Sequence, residues 1–387
     1  MATALINGRV LADGVFVEGM AVVLDGDRIA AIVPRSDLAA AMPRRDLGGA
    51  MLLPGFIDTQ VNGGGGVLFN DETSVEGIVA IGRAHRAFGT TGFLPTLITD
   101  GIDRIAMAMD AADAAIEAGI PGVLGVHIEG PFINPLRSGI HDRAKIRAVD
   151  DEAVELLSRA AAGRTMVTLA PEKVPAATIG RLAEAGVIIS AGHSDATAAV
   201  VRTALDHGLT GFTHLFNAMS PLGNREPGVV GAALDDDGSW CGIIVDGRHV
   251  NPVTLRIALR STRRARFMLV TDAMPTVGIA DKRFQLQGRE IVVRDGVCVD
   301  AAGTLAGADL DMAAAVRNAV DLLGLSIADA VGLASRNPAE FLGLGHERGR
   351  IAPGYRADLV LADERLNILE SWIAGKPADP EPSFAYA

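Results

Sequence analysis

The chain has few cysteines, no excess of positive charge and no long apolar run. Its 387 residues include only Cys241 and Cys298, which cannot build a disulfide framework, and neither has a second Cys or His at zinc-finger spacing. The formal net charge of −12 argues against nucleic acid or an anionic membrane as the main partner. No window approaches the roughly 18 apolar residues that a membrane-spanning helix needs. Residues 1–10 lack the basic and apolar stretches of a secretion signal. We therefore expect a cytoplasmic protein with reduced thiols.

Enough apolar sequence is present for a large interior, since 49% of the residues are hydrophobic. The middle of the chain alternates apolar, β-branched runs with Ala-rich amphipathic stretches, which is the pattern of βα units. Eight strand candidates can be counted, the number that closes a (β/α)8 barrel. They are 51–60, 91–98, 122–129, 165–171, 187–193, 211–217, 241–246 and 267–272. The predicted fold class is therefore α/β, a TIM-like barrel.

Both ends of the chain have the pattern of short strands. Residues 19–32 place an Asp-Gly turn between two apolar runs, the strongest local signal for a hairpin, and residues 349–362 are similar in style. We predict a small β-sandwich domain built from residues 1–52 and 349–387. The barrel, residues 53–348, is then inserted between the two halves of the sandwich. A β excursion at about 283–299 leaves the barrel after its last strand.

Three candidate metal ligands, Glu129, His193 and His214, stand at the ends of the third, fifth and sixth strand candidates. Taken singly, a strand-end His is more often a buried, hydrogen-bonded residue, and a Glu before Gly-Pro is more often part of a turn. Together they are ligands that suit a divalent cation, and a barrel brings the C-terminal ends of its strands to one face. Three protein ligands with one open position are typical of a catalytic metal site.

Asp272 ends the eighth strand candidate after an apolar run. A carboxylate in such a place is costly unless it is paired or lies near a metal. Beside a metal-bound water, it could accept the proton of the water and later donate it to a leaving amine. The alternative role is a helix N-cap. The four residues together predict metal-assisted hydrolysis.

The first strand candidate carries Pro54-Gly55-Phe56-Ile57-Asp58 and resembles the amidohydrolase superfamily, whose first strand often ends in His-x-His. Gln60 and Asn62 occupy those two positions here. Neutral amides are poor ligands for zinc or iron, so we expect one metal ion, not two.

Further motifs narrow the resemblance to the family of N-acetylglucosamine-6-phosphate deacetylases, over nearly the whole chain. In order they are His127-x-Glu129-Gly130-Pro131-Phe132, Gly192-His193-Ser194-Asp195-Ala196, Thr213-His214-Leu215-Phe216-Asn217-Ala218-Met219, Arg225-Glu226-Pro227-Gly228, Asp246-Gly247-x-His249 and Thr271-Asp272-Ala273-Met274.

The resemblance implies a role for each matching residue. Glu129, His193 and His214 match the metal ligands, and Asp272 matches the general base and acid. Eight residues match substrate contacts: His141, Asn217, Ala218, Arg225, His249, Leu305, Ala306 and Gly307. Among these, Arg225 and His249 correspond to phosphate binders, and residues 304–307 correspond to a loop that closes against the sugar.

The implied reaction converts N-acetyl-D-glucosamine 6-phosphate to D-glucosamine 6-phosphate and acetate, in amino-sugar catabolism or the recycling of cell-wall sugars. The implied cofactor is one divalent ion per subunit, zinc first, with iron(II), cobalt and manganese as alternatives. The implied assembly is a homodimer or homotetramer in which Arg225 can reach the site of a neighbouring subunit. The expected partner is a phosphorylated amino sugar, with no nucleic acid and no membrane.

Three alternatives stay open at this point. The same chemistry could act on N-acetylgalactosamine 6-phosphate, which differs at one sugar carbon. The chain could be another amidohydrolase, such as a cyclic-amide hydrolase or an N-acyl-amino-acid deacylase. It could also be a non-catalytic scaffold, which would carry no stoichiometric metal. Outside the motifs, His85, His207 and His346 are predicted at the surface.

Overall fold

A computed structural model describes residues 2–261 and 266–378 of the protein. Seven short strands form its N-terminal part. The strands are β1 (Thr3–Ile6), β2 (Arg9–Ala12), β3 (Val15–Val17), β4 (Met20–Asp25), β5 (Arg28–Pro34), β6 (Arg44–Asp46) and β7 (Met51–Pro54). β4 and β5 pair antiparallel around the Asp-Gly turn, which confirms the predicted hairpin. Met1 and residues 379–387, which the predicted sandwich included, lie outside the described ranges.

Ten strands follow, and eight of them form one parallel sheet. The ten are β8 (Phe56–Val61), β9 (Gly63–Gly64), β10 (Val67–Leu68), β11 (Thr90–Ile98), β12 (Gly125–Glu129), β13 (Arg164–Leu169), β14 (Ile188–Ala191), β15 (Leu209–Phe212), β16 (Trp240–Ile243) and β17 (Phe267–Leu269). The parallel sheet runs in chain order from β8 to β17, without the small β9–β10 hairpin, and a bridge between Val61 and Ala273 closes it. Each of the eight strand candidates therefore contributes one strand to the barrel sheet.

Helices alternate with the barrel strands and pack on the outside of the sheet. They are α1 (Val75–Arg86), α2 (Ile102–Glu117), α3 (Asp151–Leu157), α4 (Ala176–Glu184), α5 (Ala198–Asp206), α6 (Gly228–Asp235), α7 (Pro252–Ser261), α8 (Met312–Asp321), α9 (Ile327–Ala334) and α10 (Arg336–Phe341). α2 shows why such sequences are helical, because Ile105, Ala108, Met109 and Ala112 recur at helical spacing and are all buried. In the described ranges, no helix is both long and apolar enough to cross a membrane.

The β excursion is larger than predicted. It contains four antiparallel strands, β18 (Arg283–Leu286), β19 (Arg289–Arg294), β20 (Val297–Val299) and β21 (Leu305–Ala308). Residues 305–307, expected in a loop, are therefore part of a strand. The Asp300 carboxylate accepts hydrogen bonds from the backbone N–H groups of Ala302 and Thr304. These bonds form a tight turn between β20 and β21, and the two strands pair antiparallel. Ala308 also bridges Ala273, which places β21 beside the end of the last barrel strand.

The C-terminal strands complete the terminal domain as a pair of sheets. These strands are β22 (Leu359–Ala362), β23 (Ile368–Ile373) and β24 (Lys376–Pro377). One sheet has the order β5-β4-β1-β6, and the other has the order β24-β23-β22-β7-β2-β3. Strands from both ends of the chain thus share the second sheet, as the sequence predicts for a sandwich built from both termini.

The first strand candidate, residues 51–60, proves to be two strands in two different sheets. β7 pairs with β2 and β22 in the sandwich, whereas β8 belongs to the barrel. The chain divides at Gly55, whose N–H donates to the carbonyl of Asp358. A Cβ on Gly55 would lie 2.0 Å from Oγ1 of Thr91, so only glycine fits this crossing. The predicted domain boundary at residue 52 falls inside β7.

His85 is buried, so the prediction of a surface residue was wrong. The residue lies on the inner face of α1 with Ile78 and Ile81, at spacings of three and four residues. Its Nε2–H donates to the carbonyl oxygen of Gly63 at 2.9 Å, just beyond β8. Burial lowers the pKa of His85 to about 4. His207 and His346 are exposed, as predicted.

We expect His85 to make the protein less stable as the pH falls. Its pKa lies below the ordinary value of about 6.5, so between about pH 6.5 and pH 4 the unfolded chain binds the extra proton. Replacement by Gln, which keeps an N–H donor, should remove roughly 3 kcal/mol of the acid-induced loss in unfolding free energy. Urea unfolding at several pH values measures this. His207→Gln is the exposed control, and an unchanged pH slope in His85→Gln would contradict the expectation.

Candidate metal centre and active-site pocket

The three predicted metal ligands meet at the C-terminal face of the barrel. Glu129 is the last residue of β12, and His193 and His214 each come two residues after the end of β14 and β15. Oε1 of Glu129 lies 3.0 Å from Nε2 of His193 and 3.0 Å from Nε2 of His214. The two Nε2 atoms are 3.1 Å apart, and all three side chains are buried.

The tautomer of His193 fits a bound cation. Nδ1 of His193 lies 2.8 Å from the carbonyl oxygen of Arg137, which can only accept, so Nδ1 carries the hydrogen. Nε2 is therefore the ring nitrogen of His193 left to face Glu129 and His214. A histidine ligand whose other ring nitrogen donates to a carbonyl is the usual arrangement at metal sites. Glu129 with two histidines matches three-ligand catalytic sites for zinc and related divalent ions.

Unusual backbone conformations mark the chain after the barrel strands. His193, His214 and Asp272 have φ values of 50°, 34° and 53°. Phe216 and Ala218, on the loop after His214, also have positive φ. Non-glycine residues rarely adopt this region, and such strain concentrates at functional sites. The positive φ values of His193, His214 and Asp272 therefore coincide with the point where their side chains meet.

Two amide side chains hold the carboxylate of Asp272 beside the metal ligands. Nε2 of Gln60 donates to Oδ1 of Asp272 and to Oε2 of Glu129, both at 3.1 Å. Nδ2 of Asn62 donates to the same Oδ1 of Asp272 at 2.7 Å. Asp272 is therefore within the site and is not a helix N-cap. The sequence predicts Gln60 and Asn62 only as residues that replace two histidine ligands, and it does not predict their role as donors to Asp272.

The two carboxylates have opposite pKa shifts. Burial opposes the charge on Glu129, but the hydrogen bonds and charges of His193 and His214 outweigh it and hold the pKa of Glu129 well below its usual range. Burial, followed by repulsion from Glu129, raises the pKa of Asp272. A pair of acids with separated pKa values is typical of catalytic sites, since one remains an anion while the other exchanges a proton.

His141 stands next to the metal ligands on the loop after β12. Its ring centroid is 4.3 Å from that of His193, and its Nε2 is 4.0 Å from Oε1 of Glu129. Nδ1 lies 2.7 Å from Oγ1 of Thr99. Burial, together with the neighbouring His193, lowers the pKa of His141 to about 3. The ring is therefore neutral near pH 7.

His249 forms a second polar group in the pocket, beyond the end of β16. Its Nδ1–H donates to Oδ2 of Asp246 at 2.5 Å, and both side chains are at most 5% exposed. Burial opposes ionisation of Asp246, but the hydrogen bond and charge of His249 hold its pKa below the usual value. Because Nδ1 of His249 is bound to Asp246, Nε2 is the ring nitrogen that can contact a ligand in the pocket.

One pocket of about 350 Å³ contains nearly all the predicted site residues. Its lining includes Glu129, His193, His214, Asp272, His141, Asn217, Ala218, His249, Leu305, Ala306 and Gly307. Arg137 and Leu136 also line it and were not predicted; Arg137 forms an ion pair with Asp195 at 2.8 Å. Arg225 is exposed on the loop before α6 and does not line this pocket of the single chain.

The barrel, with a pocket whose Glu129, His193 and His214 could hold a metal ion, indicates the class of protein. Residues 51–384 match the amidohydrolase family, and residues 3–52 match the NagA composite domain. The chain belongs to the amidohydrolase family.

Within that family, the chain is similar to deacetylases of phosphorylated N-acetylhexosamines. It is 45% identical over 326 residues to an N-acetylgalactosamine-6-phosphate deacetylase of Shewanella sp. (strain ANA-3), covering 84% of this chain and 82% of the relative. It is 35% identical to an N-acetylglucosamine-6-phosphate deacetylase of Haemophilus influenzae, covering 97% and 99%. The crystal structure of N-acetylglucosamine-6-phosphate deacetylase from Pasteurella multocida superposes with a TM-score of 0.95 at 35% identity, covering 98% and 100%.

We expect Glu129→Gln to lose the metal. The substitution removes the anionic ligand and leaves two neutral histidines, so the protein purified with zinc should fall from about one ion per chain to a small fraction of that. Elemental analysis after dialysis measures the content. Glu226→Gln is the control, because Glu226 accepts two backbone N–H groups outside the pocket and should leave the metal content unchanged. Full metal content in Glu129→Gln would contradict the assignment.

Proposed function

We propose that this protein is a metal-dependent deacetylase that hydrolyses N-acetyl-D-glucosamine 6-phosphate to D-glucosamine 6-phosphate and acetate. The observation that carries the proposal is the grouping of Glu129, His193 and His214 with the amide-held carboxylate of Asp272 in one pocket. This arrangement suits hydrolysis of an amide, and the similar enzymes are named as deacetylases of the two N-acetylhexosamine 6-phosphates.

The positions of the side chains support a proposed role for each group in the reaction. A divalent ion held by Glu129, His193 and His214 would lower the pKa of water to about 7 and polarise the acetyl carbonyl. Asp272 accepts the proton of the attacking water while the water oxygen bonds to the acetyl carbon. His141 donates a hydrogen bond to the carbonyl oxygen. Asp272 then gives the proton to the amine nitrogen as the carbon–nitrogen bond breaks.

The phosphate end of the substrate needs cationic or N–H donors, because the ester carries nearly two negative charges at pH 7. Because Nδ1–H of His249 already donates to Asp246, its Nε2 can present a second N–H to the phosphate only in the imidazolium form. Asn217 and Ala218 line the same pocket and can bind the sugar phosphate. Arg225 offers a bidentate guanidinium, and we place it in the site of a neighbouring subunit in a homodimer or homotetramer.

The remaining parts of the proposal concern metal and location. We propose one ion per subunit, zinc first, with iron(II), cobalt or manganese able to replace it at the same ligands. We propose a cytoplasmic location, supported by two free and buried cysteines, Cys241 and Cys298. The product is a free amino sugar phosphate, which suits amino-sugar catabolism or cell-wall sugar recycling.

A second candidate substrate is N-acetyl-D-galactosamine 6-phosphate. It is favoured by the 45% identity to a deacetylase named for that sugar, against 35% for the Haemophilus influenzae enzyme named for the glucosamine epimer. The epimers differ at one hydroxyl, and both would place the same acetamide beside Asp272.

Acetate release tests the proposed function. The zinc-loaded protein is assayed with both N-acetylhexosamine 6-phosphates, with unphosphorylated N-acetylglucosamine, and with an N-acyl-amino acid, each with and without a chelator. We expect release from at least the glucosamine 6-phosphate derivative, much less from the unphosphorylated sugar, and loss of activity with chelator. Preference for the galactosamine epimer would select the second candidate. Absence of release from both phosphorylated sugars would refute the proposal.

We expect Asp272→Asn to lower kcat by roughly 10³-fold, because the amide cannot accept the proton of the attacking water. Metal content and substrate binding should be retained, since the amide replaces the carboxylate at nearly equal volume. Steady-state kinetics, elemental analysis and equilibrium binding of substrate measure the three quantities. Asp281→Asn, at an exposed aspartate, is the control. A kcat near that of the control would exclude Asp272 as the proton carrier.

We expect Arg225→Ala to raise KM for the phosphorylated sugar by roughly tenfold or more, because a charge-assisted phosphate contact is lost. The exposed Lys173→Ala is the control. Mixed oligomers of Arg225→Ala and Asp272→Asn chains test whether the arginine acts across the interface. One variant lacks the arginine and the other lacks the carboxylate, so neither forms an intact site alone. A mixed dimer regains an intact site only if Arg225 of one subunit acts in the site that contains Asp272 of the other. No gain in activity on mixing would place Arg225 in its own subunit or outside the site.

A further inference from the structure

The ring of His141 is held by a threonine that the reaction scheme does not use. Thr99 follows directly after β11 and is 1% exposed. Its Oγ1 lies 2.7 Å from Nδ1 of His141, and its backbone N–H points at the same nitrogen, with an N···N distance of 3.4 Å. The hydroxyl and the backbone N–H of Thr99 therefore both contact Nδ1 of His141, the ring nitrogen that faces away from the predicted metal ligands.

The backbone N–H decides which ring nitrogen carries the hydrogen. A backbone N–H can only donate, so Nδ1 of His141 must keep its lone pair. If Nδ1 carried a hydrogen, that hydrogen and the hydrogen of the Thr99 N–H would point at each other and repel. The Thr99 hydroxyl, at the shorter distance, then also donates to Nδ1, and the hydrogen of the neutral ring resides on Nε2.

The space for this hydroxyl is set by Gly130, directly after Glu129. Gly130 has φ of 89°, and a Cβ at this position would lie 2.2 Å from Oγ1 of Thr99. Oγ1 of Thr99 also lies 3.4 Å from the carbonyl oxygen of Glu129, a longer contact than the 2.7 Å to Nδ1 of His141. The hydroxyl is thus confined between β11 and β12 and directed at the ring.

We propose that Thr99 is a positioning residue that fixes His141 in the tautomer with hydrogen on Nε2, the nitrogen nearer Glu129. An Nε2–H donor facing the metal ligands is the form that can stabilise negative charge developing on the acetyl oxygen. This last step rests on the proposed deacetylase function; the tautomer rests only on the contacts of Thr99.

Nitrogen NMR of the zinc-loaded, histidine-labelled protein tests the tautomer without reference to activity. In wild type we expect a pyridine-type resonance for Nδ1 of His141 and a pyrrole-type resonance for Nε2, assigned with His141→Gln. In Thr99→Val, which removes the hydroxyl and keeps the shape, the two resonances should move toward each other as the other tautomer becomes populated. A protonated Nδ1 in wild type would overturn the proposal, whether or not the protein releases acetate.

Kinetics test the consequence for the reaction. We expect Thr99→Val to lower kcat by roughly ten- to a hundredfold with little change in KM, less than the 10²–10³ typical of removing a whole oxyanion donor. Thr99→Ser, which restores the hydroxyl, should recover most of the rate. Thr90→Val is the matched control, because Thr90 is a buried threonine at the start of β11 whose hydroxyl has no hydrogen-bond partner in the described residues.

The outcomes separate this inference from the proposed function. If wild type releases no acetate from either sugar phosphate, the proposed function fails, and the NMR result alone decides the tautomer. If wild type is active and Thr99→Val has the kcat of Thr90→Val, the positioning role is overturned while the proposed function stands. Equal losses of kcat in Thr99→Val and Thr99→Ser would also overturn it, since the hydroxyl would not be the group that matters.

Discussion

The structure depends on the burial of three electron-rich atoms within about 3 Å of one another. Oε1 of Glu129 and the Nε2 atoms of His193 and His214 face one point, and His193 keeps its lone pair there because its other nitrogen donates to a carbonyl. Without a shared cation, such a group would repel itself or trap protons. The barrel allows the convergence because its parallel strands end at one face, and the positive φ of both histidines turns them inward.

The positions of two further carboxylates, Asp272 and Asp58, depend on hydrogen bonds with residues around this centre. The amides of Gln60 and Asn62 tie Asp272 to the end of the first barrel strand. Asp58, on the same strand, is fully buried, and burial raises its pKa to about 7, although it accepts hydrogen bonds from the hydroxyl and N–H of Thr271. The junction of the first and last barrel strands therefore closes the barrel and also positions Asp272, so fold and site share the same contacts.

Much of the fold and the centre of the site could be predicted because their signals are local. Each barrel strand is an apolar run ended by a breaker, and Glu129, His193, His214 and Asp272 follow such runs directly. The features that were missed depend on contacts between distant segments. The division at Gly55 depends on Thr91, the burial of His85 depends on Gly63, and the donor role of Gln60 appears only once β8 and β17 are adjacent. The position of Arg225 relative to a site depends on a second chain, so no local pattern can supply it.

We propose a single-ion site, in which one divalent ion at Glu129, His193 and His214 suffices for the reaction. Its most direct test is to titrate the metal-free protein with zinc and to follow the initial rate of acetate release from N-acetyl-D-glucosamine 6-phosphate. We predict a linear rise that reaches its plateau at one equivalent of zinc per chain, with no activity before the first addition. Full activity in the metal-free protein, or a plateau only at two equivalents, would contradict a single-ion site.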